Sequence, residues 1–255
     1  MIDFNKAKEA FEECLRDYDT NDGKINLKIV HTYHVVDYSE FIAKELGLEE
    51  EDIELAKLIA LLHDIGRFEQ IKQFAGYNEK GLNHAEYSYK ILFENGLIRK
   101  FVEEEVYDNI IAKAVRIHSR YAIDEELLER ELLHAKIIRD ADKLDNFRVS
   151  KEEAFENMVS VDEEQISNEF ISEAVYNDIM SQRLVLKSNA KTSLDFWLPT
   201  IAFTFDLNFD CSFKYLKETD YINIVIDRII YTKDETKKRM EDIRKCVNDF
   251  IDSHI

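Results

Sequence analysis

Apolar side chains recur along this chain at helical spacing, with few interruptions. Phe4, Ala7, Phe11, Cys14 and Leu15 share one face, predicting a short amphipathic helix over 4–18. Leu27, Ile29, Val30, Tyr33, Val35, Val36, Phe41 and Ile42 predict a second over 25–46, with Gly47 as its stop. A third spans 50–63, its first turn acidic, as the helix dipole favours. The mixed segment 67–81 contains Gly76 and Gly81 and reads as a loop with a short helix, bordering a pocket. Asn83 suits the N-cap of a helix running to 94. One more helix ends near His118, and another runs from about 125 to 145. Beyond residue 150 the expected helices are 166–184, 193–207 and 233–255, with Phe196-Trp197-Leu198-Pro199 as a break or kink.

The pattern predicts an all-α fold. With one proline, six glycines and no linker, repeat or low-complexity tract, it predicts one helical domain over 1–255. Its core would lie at about 25–150, followed by a helical extension at about 151–255. The acidic run between the first two helices, DYDTNDGK, fails the register of a calcium loop: the glycine is one place late, and Lys28 stands where a bidentate Glu is needed. It reads as a turn.

Charge and cysteine content narrow the function classes. A net charge of −19 argues against extended nucleic acid and anionic membrane surfaces as partners. A small phosphorylated substrate stays open, because bound divalent cations reverse the local potential. The three cysteines, Cys14, Cys211 and Cys246, form no Cys-x-x-Cys pair and read as reduced thiols. The charged N-terminus is not a signal peptide, and no apolar run is long enough to span a membrane. A cytoplasmic location is the expectation.

Candidate chemistry centres on LIALLHDIGRF, residues 58–68, where an apolar helical run ends in His63-Asp64 and turns at Gly66. An imidazole nitrogen beside carboxylate oxygens can hold one metal ion or bridge two. Alone the pair carries little weight; partners on other helices give it meaning. His31 and His34 share a helix face at i, i+3, and either suits a ligand or a substrate contact. His84 opens a helix and His118 closes one. Asp142 sits in an Ala/Leu stripe, where an unpaired carboxylate would be costly.

The order His, His-Asp, His, His, Asp on successive helices resembles the HD-domain superfamily of metal-dependent phosphohydrolases. The resemblance covers roughly residues 28 to 148. It rests on His31-Thr32 followed by Val35, on His63-Asp64-Ile65-Gly66, and on Ala141-Asp142-Lys143-Leu144. The family's first ligand aligns with His31 rather than His34, and its last with Asp142 rather than Asp140 or Asp145. His84 and His118 look like the extra ligands of the bimetallic branch, which includes the HD-GYP cyclic dinucleotide phosphodiesterases. The GYP segment is absent, Ser119 replaces a second consecutive His, and Arg67 replaces the usual Lys. Cyclic dinucleotide specificity is therefore not carried over.

The resemblance implies two divalent transition-metal ions, Fe or Mn first and Co, Ni or Zn next. Asp64 would bridge them at a spacing of about 3.5–4 Å. His31, His63 and Asp142 would hold one ion, and His84 and His118 the other. A metal-activated hydroxide would then cleave a phosphate ester or phosphoanhydride of a nucleotide-like molecule. Arg67 and Lys143 would join Asp64 in catalysis. They would also bind phosphate, together with His34, Arg116, Arg120 and Arg148. Glu86, Asp140 and Asp145 are candidates for fixing histidine tautomers. Two other readings share this ligand order: a di-iron oxygenase similar to myo-inositol oxygenase, and a metal- or nucleotide-binding signalling module without turnover. A homo-oligomer is left open.

Overall fold

The computed structural model describes residues 2–74, 83–123, 126–153 and 163–255. The fold is all-α, with no strand among the described residues. It divides into two compact units, Met1–Asp142 and Lys143–Ile255, and the division falls within one helix. No helix among the described residues is long and apolar enough to cross a membrane.

In the first unit, α1 (Phe4–Leu15), α2 (Gly23–Glu45) and α3 (Glu50–Leu62) follow the sequence pattern closely. The acidic turn ends in Asp22, which caps α2 by accepting from the Lys24 and Ile25 amides. α3 buries Ile53, Leu55, Ala56 and the whole run from Leu58 to Leu62, so its last turn is enclosed on every side. It is the central helix, lined by α1, α2 and α6 (Asp108–Ile117). Each of its fully buried leucines stabilises the unit by roughly 1.5–3 kcal/mol relative to exposure.

The segment after His63-Asp64 differs from expectation. Instead of turning at Gly66, the chain forms α4 (Ile65–Phe74) immediately. Ile65, Phe68 and Ile71 recur on its buried face. Phe68 packs edge-on against Phe11 of α1, with ring centroids 5.8 Å apart. Gly66 serves close approach, and its amide donates to Ser88 Oγ at 2.9 Å. A Cβ there would lie 2.7 Å from the Ser88 amide nitrogen and 3.0 Å from the His84 carbonyl oxygen, so α4 and α5 (His84–Tyr89) would have to part. Gly66→Ala should therefore destabilise the protein by about 1–3 kcal/mol. Thermal denaturation checks this; an unchanged Tm would contradict it. The remainder of the expected loop, 75–82 with Gly76 and Gly81, lies outside the described residues.

Asn83 caps α5 as expected, accepting from the Ala85 and Glu86 amides, and a π-helical turn, Lys90–Glu94, continues it. α7 (Glu129–Glu152) runs seven residues past its expected end at 145.

The second unit is built from shorter pieces than the pattern suggested. The expected helix over 166–184 is two, α8 (Glu163–Ser167) and α9 (Glu173–Met180). The break is fixed from outside. The Thr232 amide donates to the Ser167 carbonyl at 3.0 Å, and buried Asp195 accepts from the Ser172 amide and hydroxyl. The kink at Pro199 separates α10 (Ser193–Trp197) from α11 (Pro199–Ala202), with a 3-10 turn at Phe203–Asp206. α12 (Asp210–Glu218) and α13 (Tyr221–Asp227) were not expected. They meet at Asp220, whose left-handed backbone ends one helix and opens the other. α14 (Asp234–Asp252) packs on α9, α12 and α13.

Candidate metal centre

Six side chains from successive elements of the first unit converge: His31 on α2, His63 ending α3, Asp64 between α3 and α4, His84 opening α5, His118 ending α6, and Asp142 on α7. His31 Nε2 lies 3.2 Å from Asp142 Oδ1, and His63 Nε2 lies 4.0 Å from the same oxygen. Asp64 stands at the centre. Its Oδ2 is 3.7 Å from His63 Nε2, and its Oδ1 is 3.6 Å from His84 Nε2 and 3.7 Å from His118 Nε2. The His84 and His118 Nε2 atoms are 3.2 Å apart. Among the described residues two groups have metal-ligand spacing: His31, His63 and Asp142, and His63, Asp64 and His118. His34, half-buried on α2, belongs to neither.

Helix ends set the orientation of two of these histidines. His63 and His118 are the C-cap residues of α3 and α6, where the last carbonyls lack helical donors. His63 Nδ1 meets the Ala60 carbonyl at 2.6 Å, and His118 Nδ1 meets the Val115 carbonyl at 2.7 Å. A carbonyl only accepts, so Nδ1 carries the proton and Nε2 presents its lone pair to the centre. For these two rings a backbone carbonyl does the work for which Glu86, Asp140 and Asp145 were candidates. Glu86 receives Arg116 Nε at 2.7 Å and Arg120 at 3.5 Å, and Asp145 receives Arg148 at 2.6 Å.

His63 Nε2 and Asp64 Oδ1 are buried without a hydrogen-bond partner among the described residues. Such atoms are costly unless something else satisfies them. Neutral imidazole nitrogens and carboxylate oxygens suit a divalent transition metal, so the donor set fits the expected ions.

Burial lowers the His63 pKa, and it lowers that of His118 to about 3, with His63 and His84 adding to the effect. Burial opposes ionisation of Asp64, but Lys28, His63, His84 and Arg67 outweigh it and hold the carboxyl well below its usual range. Asp142 is likewise held low, its hydrogen bond with His31 overcoming desolvation. Both acids are thus charged and both C-cap imidazoles neutral at pH 7, the states that ligands require. The imidazole pKa values lie below the unfolded value of about 6.5, so the unfolded chain binds more protons on acidification. Chelator-treated protein should therefore lose stability as pH falls from about 6.5 toward 3. Thermal melts across that range test the sign; a Tm that rises on acidification would refute it.

Two further residues of this site escaped the sequence reading. Lys28 lies one turn before His31 and donates to Asp64 Oδ2 at 2.8 Å. Arg139 on α7 is 1% exposed and donates to the carbonyls of Ile117, His118 and Arg120 at 3.0, 3.2 and 2.8 Å. It thereby closes the end of α6 around His118. Their signals were faint: Lys28 shares the i, i+3 face of His31, and Arg139 interrupts the apolar run Ile137, Ile138, Ala141.

The five basic side chains expected to contact phosphate each have an acidic partner. Arg67 Nε lies 3.7 Å from Asp64 Oδ1, and its guanidinium donates to buried Gln70 at 2.7 Å. Arg116 and Arg120 pair with Glu86. In the second unit, Lys143 pairs with Asp206 at 2.7 Å, and Arg148 with Asp145 and Glu152.

Residues 29–146 match the family model of the HD domain. No curated protein and no solved structure matches the chain.

Proposed function

We propose, from the premise that residues 29–146 are an HD domain, that this protein is a metal-dependent phosphohydrolase acting on a small, nucleotide-like phosphate ester or phosphoanhydride. The observation that carries this reading is the orientation of the buried donors. Asp64 turns one oxygen toward His63 and the other toward His84 and His118. His31, His63 and Asp142 would hold one divalent ion and His84 and His118 a second, with Asp64 between them. When bound, such ions supply Lewis acidity at a phosphoryl oxygen and acidify water.

The chain supplies the rest. Backbone carbonyls keep the His63 and His118 lone pairs aimed inward, and burial keeps these rings unprotonated. Asp64 keeps its charge because cations surround it. Arg67, beside Asp64, is the first candidate to receive the phosphate, through a planar fork matched to its oxygens. His34, Arg116, Arg120, Lys143 and Arg148 are the remaining candidates. Phosphate reaching Arg116 or Arg120 would exchange with Glu86.

The test pairs elemental analysis of the purified protein with a screen over nucleotides, cyclic nucleotides and simple phosphate esters. Chelator-sensitive release of phosphate or a nucleotide product, restored by Mn²⁺ or Fe²⁺, is expected. No hydrolysis of any class by metal-loaded protein would refute the proposal, and oxygen consumption in its place would point to oxidation.

A further inference from the structure

We propose that Lys28 is a resident counter-ion that holds one oxygen of Asp64 against metal, so that the two ion positions of the centre fill in sequence. This rests on the metal-site reading above. The two oxygens of Asp64 face different company. Oδ1 looks toward His84 and His118, has Arg67 Nε beyond hydrogen-bond distance at 3.7 Å, and accepts no hydrogen bond among the described residues. Oδ2 lies toward His63 and already receives the Lys28 ammonium at 2.8 Å. An ion arriving at Oδ1 displaces no hydrogen-bond donor. An ion arriving at Oδ2 must drive an ammonium out of a nearly closed pocket, since the Lys28 side chain is only 16% exposed.

Charge balance points the same way. Asp64 already faces two cations, Lys28 and Arg67, before any metal enters. Each divalent ion adds two positive charges beside them. The second therefore meets the greater repulsion while Lys28 stays in place. Before loading, the same ammonium keeps a buried carboxylate compensated and aimed at its ligand partners, so the histidine cluster forms without metal. Once displaced, Lys28 remains anchored one turn from His31, a positive charge at the edge of the centre. Lys28 is in this sense a positioning residue for Asp64.

The test is a titration of chelator-treated protein with Mn²⁺, followed by calorimetry and by electron paramagnetic resonance. The wild-type protein should bind two ions in steps whose dissociation constants differ at least tenfold. Its resonance should show isolated Mn²⁺ up to one equivalent and a spin-coupled pair only beyond it. Lys28→Met should tighten the second step tenfold or more and merge the two. Lys28→Gln should do the same in a milder form, and Lys28→Arg should restore the separation. A role confined to holding the fold would instead weaken both steps in parallel, and that result overturns the inference. So does a coupled pair appearing from the first additions to wild-type protein, which needs no variant to fold. If the wild-type protein binds no ion, the metal reading falls and takes this inference with it. If it binds two ions equally, with Lys28→Met indistinguishable, the inference falls alone.

Discussion

Asp64→Asn should lower the proposed phosphohydrolase activity and retained metal by more than about 100-fold, the upper end of what losing a merely supporting residue costs. The amide keeps the shape of the side chain, so the loss would reflect charge. Asp64 lies within 4 Å of His63, His84 and His118 together, and it also faces Lys28 and Arg67. Neutralising it removes the anion to which the others are referred. Metal-free stability should fall as well, because the Lys28 ammonium, in a nearly closed pocket, would lose the carboxylate to which it donates. Removing one partner of a buried ion pair costs about 3–5 kcal/mol. The residual 16% exposure of Lys28 favours the lower end. For a chain of this length that is a drop in Tm of roughly 6–12 °C. Adding Lys28→Met to Asp64→Asn should recover part of it, since the stranded charge goes too. Activity assays, metal content and melts of the two single variants and the double variant decide the matter. An Asp64→Asn protein that keeps its metal would end the bridging role.

Arg139→Met is expected to have the next largest effect, although this residue supplies no ligand. Its guanidinium occupies a site 1% exposed and closes three carbonyls at the end of α6. The Ile117 carbonyl keeps the Arg120 amide as a second donor, at 3.1 Å. The His118 and Arg120 carbonyls lose the donor that held them. A buried acceptor left unsatisfied costs about 1–3 kcal/mol, so the variant should lose about 3 kcal/mol or more. Methionine fills a similar volume, so little of the loss would come from a cavity. The functional effect should be local. Ion affinity on the His84–His118 side should fall about 10–100-fold, as when supporting residues of metal ligands are lost. The His31–His63–Asp142 side should be nearly untouched. Metal stoichiometry beside thermal melts separates these outcomes; equal weakening of both positions would contradict the assigned role.

The helices that were legible in the sequence are those that bury a stripe or a whole circumference by themselves. α3 is the clearest, unbroken in apolar residues from Leu58 to Leu62 and acidic in its first turn. α4 was read only as a short helix within a loop, because Gly66 carries the ordinary signal for a turn, whereas here it is small for the sake of Ser88 and His84 on the neighbouring helix. The second unit was read too coarsely because its breaks are decided by partners far along the chain. Asp195 holds Ser172, and Thr232 closes Ser167. No local pattern announces such contacts.

The candidate ligands were legible because histidines at helix ends are rare enough to count, and the fold brings all six together. The orientation of His63 and His118 was not legible, because it depends on the residue at which each helix stops. Lys28 and Arg139 were hidden by their type. A charged side chain on a helix reads as solvated until a buried partner is seen.

The two capping histidines also determine where this protein can tolerate a change of length. Each ring is locked to a carbonyl three residues back, at the last turn of its helix. One residue inserted between 50 and 62 would carry His63 about 100° around the axis of α3 and 1.5 Å along it. The imidazole would leave the centre even if every apolar contact could be repacked. The same holds for α6 between 108 and 117. A residue added between Leu15 and Gly23, or between Phe101 and Glu105, changes no such phase. Within this unit the helices that carry the candidate ligands are fixed in length as gears are fixed in their number of teeth, and variation belongs to the connections.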